Sequence, residues 1–386
     1  MPSFVKSTSE GRPALSPCEG QREGTAVHSS RRLKSLDALR GFDMFWIMGG
    51  DVICRSLPRI HDSAFTRFLA GQMEHCEWAG FHFYDLIFPL FVFMVGVSIP
   101  FSVPRMIESS GKGAALRRIL IRSVILFLLG VFYMGGVGNG FKNVYLAGVL
   151  HRIAVAYFFA AILFCFLKPR GLAALCGGLL VGYWVLMCFV PVPGLGAPDL
   201  HEPGKNLAHY LDSLYLPGQK FEGTLLSTMA AVANCLLGIF AGLLVKSDKP
   251  RPQTKVYYLA GAGIASLGLG LVWSLNFPII KLLWTSSYVL MACGCSALLL
   301  AAFFQLIEIW RFDKWAVPFV WMGMNAITIY IIANIVGFHR LALRLVGGDI
   351  KVFLGSYAEL AQALVGTAMA FWVVWFLYRR QVFLRL

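Results

Sequence analysis

Charged residues are scarce in this sequence. Asp, Glu, Lys and Arg together make up 14% of its 386 residues, where a soluble globular domain carries about 25%. That shortage excludes a soluble enzyme, a disordered chain and a coiled coil. Acids are the scarcer sign, 20 against 34 bases. There is no Cys-x-x-Cys pair among the nine cysteines, most of which lie inside apolar runs. The sequence therefore carries neither a disulfide framework nor a zinc signature. It also has no visible internal repeat, which argues against an inverted-repeat transporter. Residues 1–32 are rich in Ser, Gly, Glu and Arg. They lack the apolar core of about 7–15 residues that a signal peptide needs. They are expected to be a disordered cytoplasmic tail, with residues 33–386 forming one transmembrane domain.

What the chain has instead is apolar surface. Hydrophobic residues make up 58% of it and the mean hydropathy is +0.67. Runs long enough to cross a bilayer, about 20 residues each, fall near 38–57, 83–104, 117–135, 147–167, 171–191, 225–245, 256–275, 284–309, 316–336 and 358–378. The runs are continuous, without the alternation of an outer-membrane barrel. The expected fold is an all-α polytopic membrane helix bundle of about ten transmembrane helices. With the N-terminus inside, 23 of the 34 basic residues fall in cytoplasmic segments. The positive-inside rule then gives an N-in, C-in orientation. The net charge of +14 thus reads as a topology signal and not as a nucleic-acid face. The longer loops, near 58–82, 136–146, 192–224 and 337–357, lie outside and point to an extracytoplasmic vestibule.

Polar groups at membrane depth are costly and mark candidate sites. Asp37 and Arg40 are i,i+3 neighbours at the cytoplasmic mouth of the first span. Arg40 is either half of a helix-end salt bridge or a cation for a phosphate-bearing ligand. Asp51 follows Gly49-Gly50 at the outer end of that span, as a site acid or an exposed loop residue. The segment from Glu74 to Pro89 gathers His75, Glu77, Trp78, His82 and Asp85. If helical, it would set His75, Trp78, His82 and Asp85 on one face. Histidine exchanges protons near neutral pH, and carboxylates stand close by. Arg152, in Gly148-Val149-Leu150-His151-Arg152, stays charged and needs an anion, from Asp51, Asp85 or a ligand phosphate. Lys281, Trp284 and Ser286 follow Asn276-Phe277-Pro278 in a segment that reads as a broken helix with a re-formed N-terminus. Asn325 and Tyr330 are intramembrane polars suited to interhelical hydrogen bonding.

These motifs, in this order, resemble the heparan-alpha-glucosaminide N-acetyltransferase family of transmembrane acyltransferases, and its bacterial members in particular. The resemblance covers about residues 33–380. It rests on Ser35-Leu36-Asp37 with Arg40-Gly41-Phe42, on His75-Cys76-Glu77-Trp78-Ala79-Gly80 leading into Asp85-Leu86-Ile87-Phe88-Pro89, and on Gly148-Val149-Leu150-His151-Arg152. Glu222-Gly223-Thr224-Leu225, Lys281-Leu282-Leu283-Trp284-Thr285-Ser286-Ser287-Tyr288 and Gly323-Met324-Asn325 extend it. The resemblance implies transfer of an acetyl group from cytosolic acetyl-CoA, as co-substrate, to the amine of a terminal glucosamine across the membrane. It implies the possibility of a homodimer and, for a bacterial source, location in the bacterial inner (cytoplasmic) membrane; no metal is expected, because the His and Glu spacing matches no strong zinc pattern. The family's catalytic histidine is His75 here. Asp51 stands where the animal enzymes have a site asparagine, and His151 where they have glutamine.

The residues fit that chemistry. Acetyl transfer to an amine needs a base and a stabilised oxyanion. His75 serves as the base, or is itself acetylated in a ping-pong route; direct transfer is the reading taken. Asp51 or Asp85 orients His75 or holds the acceptor ammonium. Trp78, Arg152, Lys281, Trp284, Ser286 and Asn325 are assigned to substrate or acetyl-CoA binding. Arg40, with Arg117, Arg118 and Arg122, is assigned to the CoA phosphates. The expected partners are acetyl-CoA, an amino-sugar or glycan acceptor and the lipid bilayer, with no nucleic acid. Two rival readings differ in class: a carrier of an amino sugar or its N-acetyl form, and an acyltransferase acting on an envelope glycan hydroxyl.

Overall fold

A computed structural model describes residues 33–383, except 139 and 218–222. The expected 1–32 tail lies outside the described residues. Helix dominates the rest. In chain order the helices are α1 (Lys34–Phe45), α2 (Asp51–Ile60), α3 (Ala64–Gln72), α4 (Phe83–Tyr133) and α5 (Val149–Phe166). There follow α6 (Pro169–Phe189), α7 (Leu207–Tyr215), α8 (Thr224–Lys246), α9 (Pro252–Ser274) and α10 (Ser286–Phe304). The last five are α11 (Val317–Met324), α12 (Ala326–Val336), α13 (Phe338–Leu345), α14 (Gly348–Leu354) and α15 (Ala358–Arg379). The only extended pairings among the described residues are two isolated bridges. The all-α membrane bundle read from the sequence is the fold observed.

Among the described residues, seven helices are long and apolar enough to cross a membrane, or eight if the bent α11–α12 pair is one span. Two features separate that count from the ten expected. The runs near 83–104 and 117–135 are joined in one 51-residue helix, α4, which breaks its backbone at Gly111 (φ +80°). The first run is split into α1 and α2 by a wide turn at Trp46–Gly50, where Gly49 has φ +139°. Each piece is too short alone. Glycine is what permits both breaks, because side chains with a Cβ rarely adopt these angles.

The core forms where helices carry small residues. On α8, Gly238 and Gly242 lie directly against the Phe93 and Val97 carbonyls of α4, and Gly96 of α4 faces the Cys235 backbone in return. In lipid, where apolar burial gives little net drive, such close backbone packing holds helices together. Asn234, also on α8, donates from Nδ2 to the Pro89 carbonyl at 3.2 Å. Pro89 has no N–H for the helix ladder, which frees the Asp85 carbonyl one turn back, and the Tyr288 hydroxyl of α10 donates to that carbonyl at 2.8 Å. At the start of α1, Lys34 pairs with Asp313 at 2.9 Å. The Ser35 N–H donates to Glu308 Oε1 at 3.2 Å. Together these contacts tie the first helix to the segment before α11.

Two loops position the site. Residues 73–82 connect α3 to α4, and 275–285 connect α9 to α10. They meet through the Ala79–Ile280 bridge, with the Gly80 N–H donating to the Ile279 carbonyl at 2.9 Å.

Candidate functional site

The site is built on the first turn of α4. A buried carboxylate, Asp85, sits there with no solvent exposure. Its Oδ2 accepts the backbone N–H groups of His82 at 3.1 Å and Cys76 at 3.3 Å. Its Oδ1 lies 2.8 Å from His75 Nδ1 and 3.2 Å from Lys281 Nζ. From the other side, the Tyr288 hydroxyl donates to the Asp85 carbonyl at 2.8 Å. A carboxylate at a helix N-terminus with this many donors is held in its charged form. His82 closes the loop by bonding the Glu74 carbonyl through Nδ1 at 3.0 Å.

His75 and Asp85 do meet, but not by the route the spacing predicted. Residues 74–82 are a loop and not a helix; α3 ends at Gln72. The 3,4-spacing of His75, Trp78, His82 and Asp85 therefore has no common helical face. The chain turns back instead, and the backbone N–H groups of Cys76 and His82 fold the loop around the Asp85 carboxylate.

Lys281 comes from the second loop. The Thr285 hydroxyl accepts from the Ile280 N–H at 3.1 Å and donates to the Pro278 carbonyl at 2.8 Å. The Ser287 hydroxyl donates to the Phe277 carbonyl at 2.6 Å. These two hydroxyls close a tight turn that carries Lys281 to within 2.8 Å of His75 Nδ1 and 3.2 Å of its Nε2. Trp284 follows in a left-handed conformation, φ +52°, which is uncommon for a bulky residue and strained unless its surroundings fix it. Here Phe88 and Tyr288 pack edge-on against its ring, and the Arg152 guanidinium lies over it at 4.6 Å.

His75, Trp78, Arg152, Lys281 and Trp284 all line one cavity of about 600 Å³. Its inner part runs along Met44, Phe91 and Tyr330, between α1, α4 and α12. That volume is within the range of small-molecule sites, about 300–1,000 Å³. The Trp78 indole N–H donates to the Leu200 carbonyl at 2.7 Å, so the long 190–206 loop covers the rim. Half of the His75 side chain is exposed (52%) while Lys281 is at 20%. The histidine faces the opening and the lysine lies behind it.

The remaining predicted residues lie elsewhere. Asp51 bonds Arg55 at 2.5 Å, one turn on in α2, and does not line the cavity. Ser286 is buried and donates to the Leu180 carbonyl at 2.7 Å, a helix-to-helix bond. Asn325 is buried (2%) at the 71° break between α11 and α12; its neighbours Ala326 and Ile327 reach the cavity. Arg40 bonds the Ser98 hydroxyl of α4 and lies 3.8 Å from Asp37, away from the cavity. Arg152, by contrast, lines the cavity from the first turn of α5. Its ring partner is Trp284.

Three contacts were not read from the sequence. The Tyr84 ring packs on His75 with centroids 4.8 Å apart. Tyr133 and Tyr330 stack at 4.4 Å and line the same cavity. The Tyr288 hydroxyl anchors Asp85 from α10. In the sequence Tyr330 reads as an intramembrane polar and Tyr288 stands in a motif, but the partner of neither can be read from the chain.

Cys76, His82 and Asp85 place possible metal-ligand atoms within 4.8 Å of one another. Both Asp85 oxygens are already engaged, however, and the neighbouring cation is Lys281. Burial pushes the Cys76 thiol up to about 11, and the Asp85 carboxylate adds to that shift. A protonated thiol is a poor ligand and a poor nucleophile.

Comparison with known proteins agrees with the motif resemblance. A family model described as a domain of unknown function, DUF5009, matches residues 32–163. The chain is similar to the heparan-alpha-glucosaminide N-acetyltransferase of Mus musculus, at 26% identity over 93% of its own length and 61% of that protein. The Homo sapiens enzyme of the same name is 24% identical over 91% of this chain and 59% of the relative. The chain thus spans about three fifths of the length of these curated relatives.

Proposed function

We propose that this protein is a membrane-embedded acetyltransferase that moves an acetyl group from cytosolic acetyl-CoA to the amine of an extracytoplasmic, glucosamine-like sugar. The observation that carries the reading is the Asp85–His75–Lys281 cluster at the mouth of the 600 Å³ cavity. The similarity to N-acetyltransferases along nearly the whole chain supports it. The reading includes location in the bacterial inner membrane, with the outer loops facing the acceptor.

In this reading Asp85 accepts the Nδ1 proton of His75 and fixes the tautomer with a free Nε2 lone pair. Nε2 takes a proton from the acceptor ammonium, and the free amine attacks the thioester carbonyl. The Lys281 ammonium faces the negative charge that develops on that oxygen. The tetrahedral intermediate collapses, the C–S bond breaks, the protonated His75 returns its proton to the departing thiolate, and the second proton of the former ammonium leaves the nitrogen for water. The products are the N-acetyl sugar, CoA and one proton. Trp78, Trp284 and Arg152 wall the cavity that holds the acyl donor.

The test is transfer from labelled acetyl-CoA to glucosamine in proteoliposomes, wild type beside His75→Ala. The expected result is transfer by wild type and none by a folded variant that still binds acetyl-CoA. Binding without transfer in wild type would move the acceptor to another class. Absence of both would reject the reading.

A further inference from the structure

A second cavity of about 620 Å³ lies between α5, α6 and α8. Its lining is divided by polarity. At one end stand His151, Arg152 and Thr224, at the starts of α5 and α8. Thr228 follows one turn on in α8, its hydroxyl donating to the Thr224 carbonyl at 2.9 Å, and the rest of the wall, Val155, Phe159, Leu163, Leu175, Leu179 and Val232, is apolar. Two of these polar side chains, His151 and Thr224, find no hydrogen-bond partner among the described residues. His151 is 1% exposed, and neither ring nitrogen has a hydrogen-bond partner among the described residues. The Thr224 hydroxyl oxygen is buried in the same condition. Buried polar groups are normally paired, and an unpaired one that lines a cavity needs a ligand or water.

Dimensions and access narrow the ligand. His151 and Leu163 are twelve residues apart on α5, about 18 Å along the helix axis. One leaflet of the hydrocarbon core is about 15 Å deep. Phe159 and Leu225 both line the cavity and are 45% and 41% exposed on the apolar flank of the bundle. The cavity therefore opens sideways, toward lipid. A pantetheine arm fits poorly, because its amides would lose their hydrogen bonds along the deep wall. A hydrocarbon chain loses nothing there. Arg152 lines this cavity and the first one alike, so the polar end adjoins the catalytic cavity.

We propose that the second cavity holds the single hydrocarbon chain of a lipid-linked acceptor. The chain enters from the outer leaflet between α5 and α8, and the amino-sugar head passes His151 and Arg152 into the catalytic cavity. This deepens the acetyltransferase reading and rests on it for the identity of the head group.

The test compares glucosamine with tetradecyl glucosaminide as acceptors, using the full-length protein in phosphatidylcholine nanodiscs. The alkylated acceptor is expected to show a kcat/KM at least about 10-fold higher, since each buried methylene adds to binding. Filling the cavity with Leu179→Trp or Val232→Trp is expected to bring the ratio of the two acceptors toward one. A ratio within about 2-fold in wild type, or an advantage that survives both variants, would overturn the proposal. A second arm needs no acetyl-CoA: a tetradecyl glucosaminide carrying a diazirine in its chain, with labelled peptides mapped by mass spectrometry. Saturable labelling of α5, α6 and α8 that is lost in both variants is expected. Labelling confined to other helices, or indifferent to the variants, overturns the site. Saturable labelling without transfer to either acceptor would keep the chain site and reject the acetyltransferase reading, whereas transfer without such labelling would do the reverse.

Discussion

His75 Nδ1 lies 2.8 Å from Asp85 Oδ1, yet Lys281 Nζ approaches the same ring nitrogen at 2.8 Å. A single Nδ1 cannot donate to a carboxylate and accept from an ammonium at once. Asp85, with its backbone donors, holds the anionic charge, and Lys281 is 3.2 Å from the same oxygen. Proton placement at Nδ1 therefore follows which of the two neighbours dominates. Substitution of either one tests that balance.

Asp85→Asn should lower kcat for acetyl transfer by about 10²–10⁴-fold, the range for loss of a positioned base or its tautomer. The amide keeps the shape but can donate to Nδ1, which turns the proton to Nε2. Acetyl-CoA binding, measured by calorimetry, should be little changed. A variant of near wild-type kcat would remove Asp85 from the proton path.

Lys281→Met should cost about 10²–10³-fold in kcat, as expected for one donor to a developing oxyanion. Lys281→Arg should recover only part of it, because the larger planar cation does not replace a point charge on this turn. A change confined to KM would make Lys281 a ground-state binding group instead.

Cys76 should behave as a neutral thiol at pH 7. Its ionisation is raised from 9.0 to about 11, so the thiolate fraction rises about tenfold per pH unit until that range. Site-resolved iodoacetamide labelling should follow that slope. The sign for stability follows: folding favours the protonated thiol, so this contribution is present below pH 9 and lost as pH rises toward 11. Cys76→Ala should keep transfer within about 3-fold, a loss far smaller than that of a catalytic nucleophile. A loss as large as that of His75→Ala would make the thiol part of the chemistry.

Gly238→Val should destabilise the protein by at least about 1–3 kcal/mol, the cost of overpacking a tight core. The added side chain would drive into the Phe93 carbonyl. The thermal midpoint in detergent reads the effect. Gly261→Val is the control, since nothing lies within 4 Å of a Cβ there.

Asp43→Val should raise the thermal midpoint. Asp43 is wholly buried in α1, and neither carboxylate oxygen has a hydrogen-bond partner among the described residues. An unsatisfied buried polar group costs about 1–3 kcal/mol, which an apolar side chain of similar volume does not carry. A lower midpoint would show that the carboxyl is satisfied in the membrane.

The membrane bundle was legible because apolar run length and charge scarcity are one-dimensional properties of the chain. So was the presence of His75, Asp85, Arg152 and Lys281, since each is a polar residue at the edge of an apolar run. Helix breaks were less legible. At Gly111 and Gly49 the break depends on a backbone angle that glycine permits but does not require, and the span count changes with it. The site itself was decided by tertiary structure. His75 and Lys281 are 206 residues apart, and they meet only because two loops pair at Ala79 and Ile280. The periodicity that proposed a helical face for His75 and Asp85 gave the right partners through the wrong geometry. Spacing cannot report a carboxylate that folds a loop around itself. Asp51, Ser286 and Arg40 show the reverse: their residue types suited a site, and local partners one helix turn or one neighbouring helix away took them. Residue chemistry is fixed by sequence, whereas which groups face the same cavity is fixed by how helices pack.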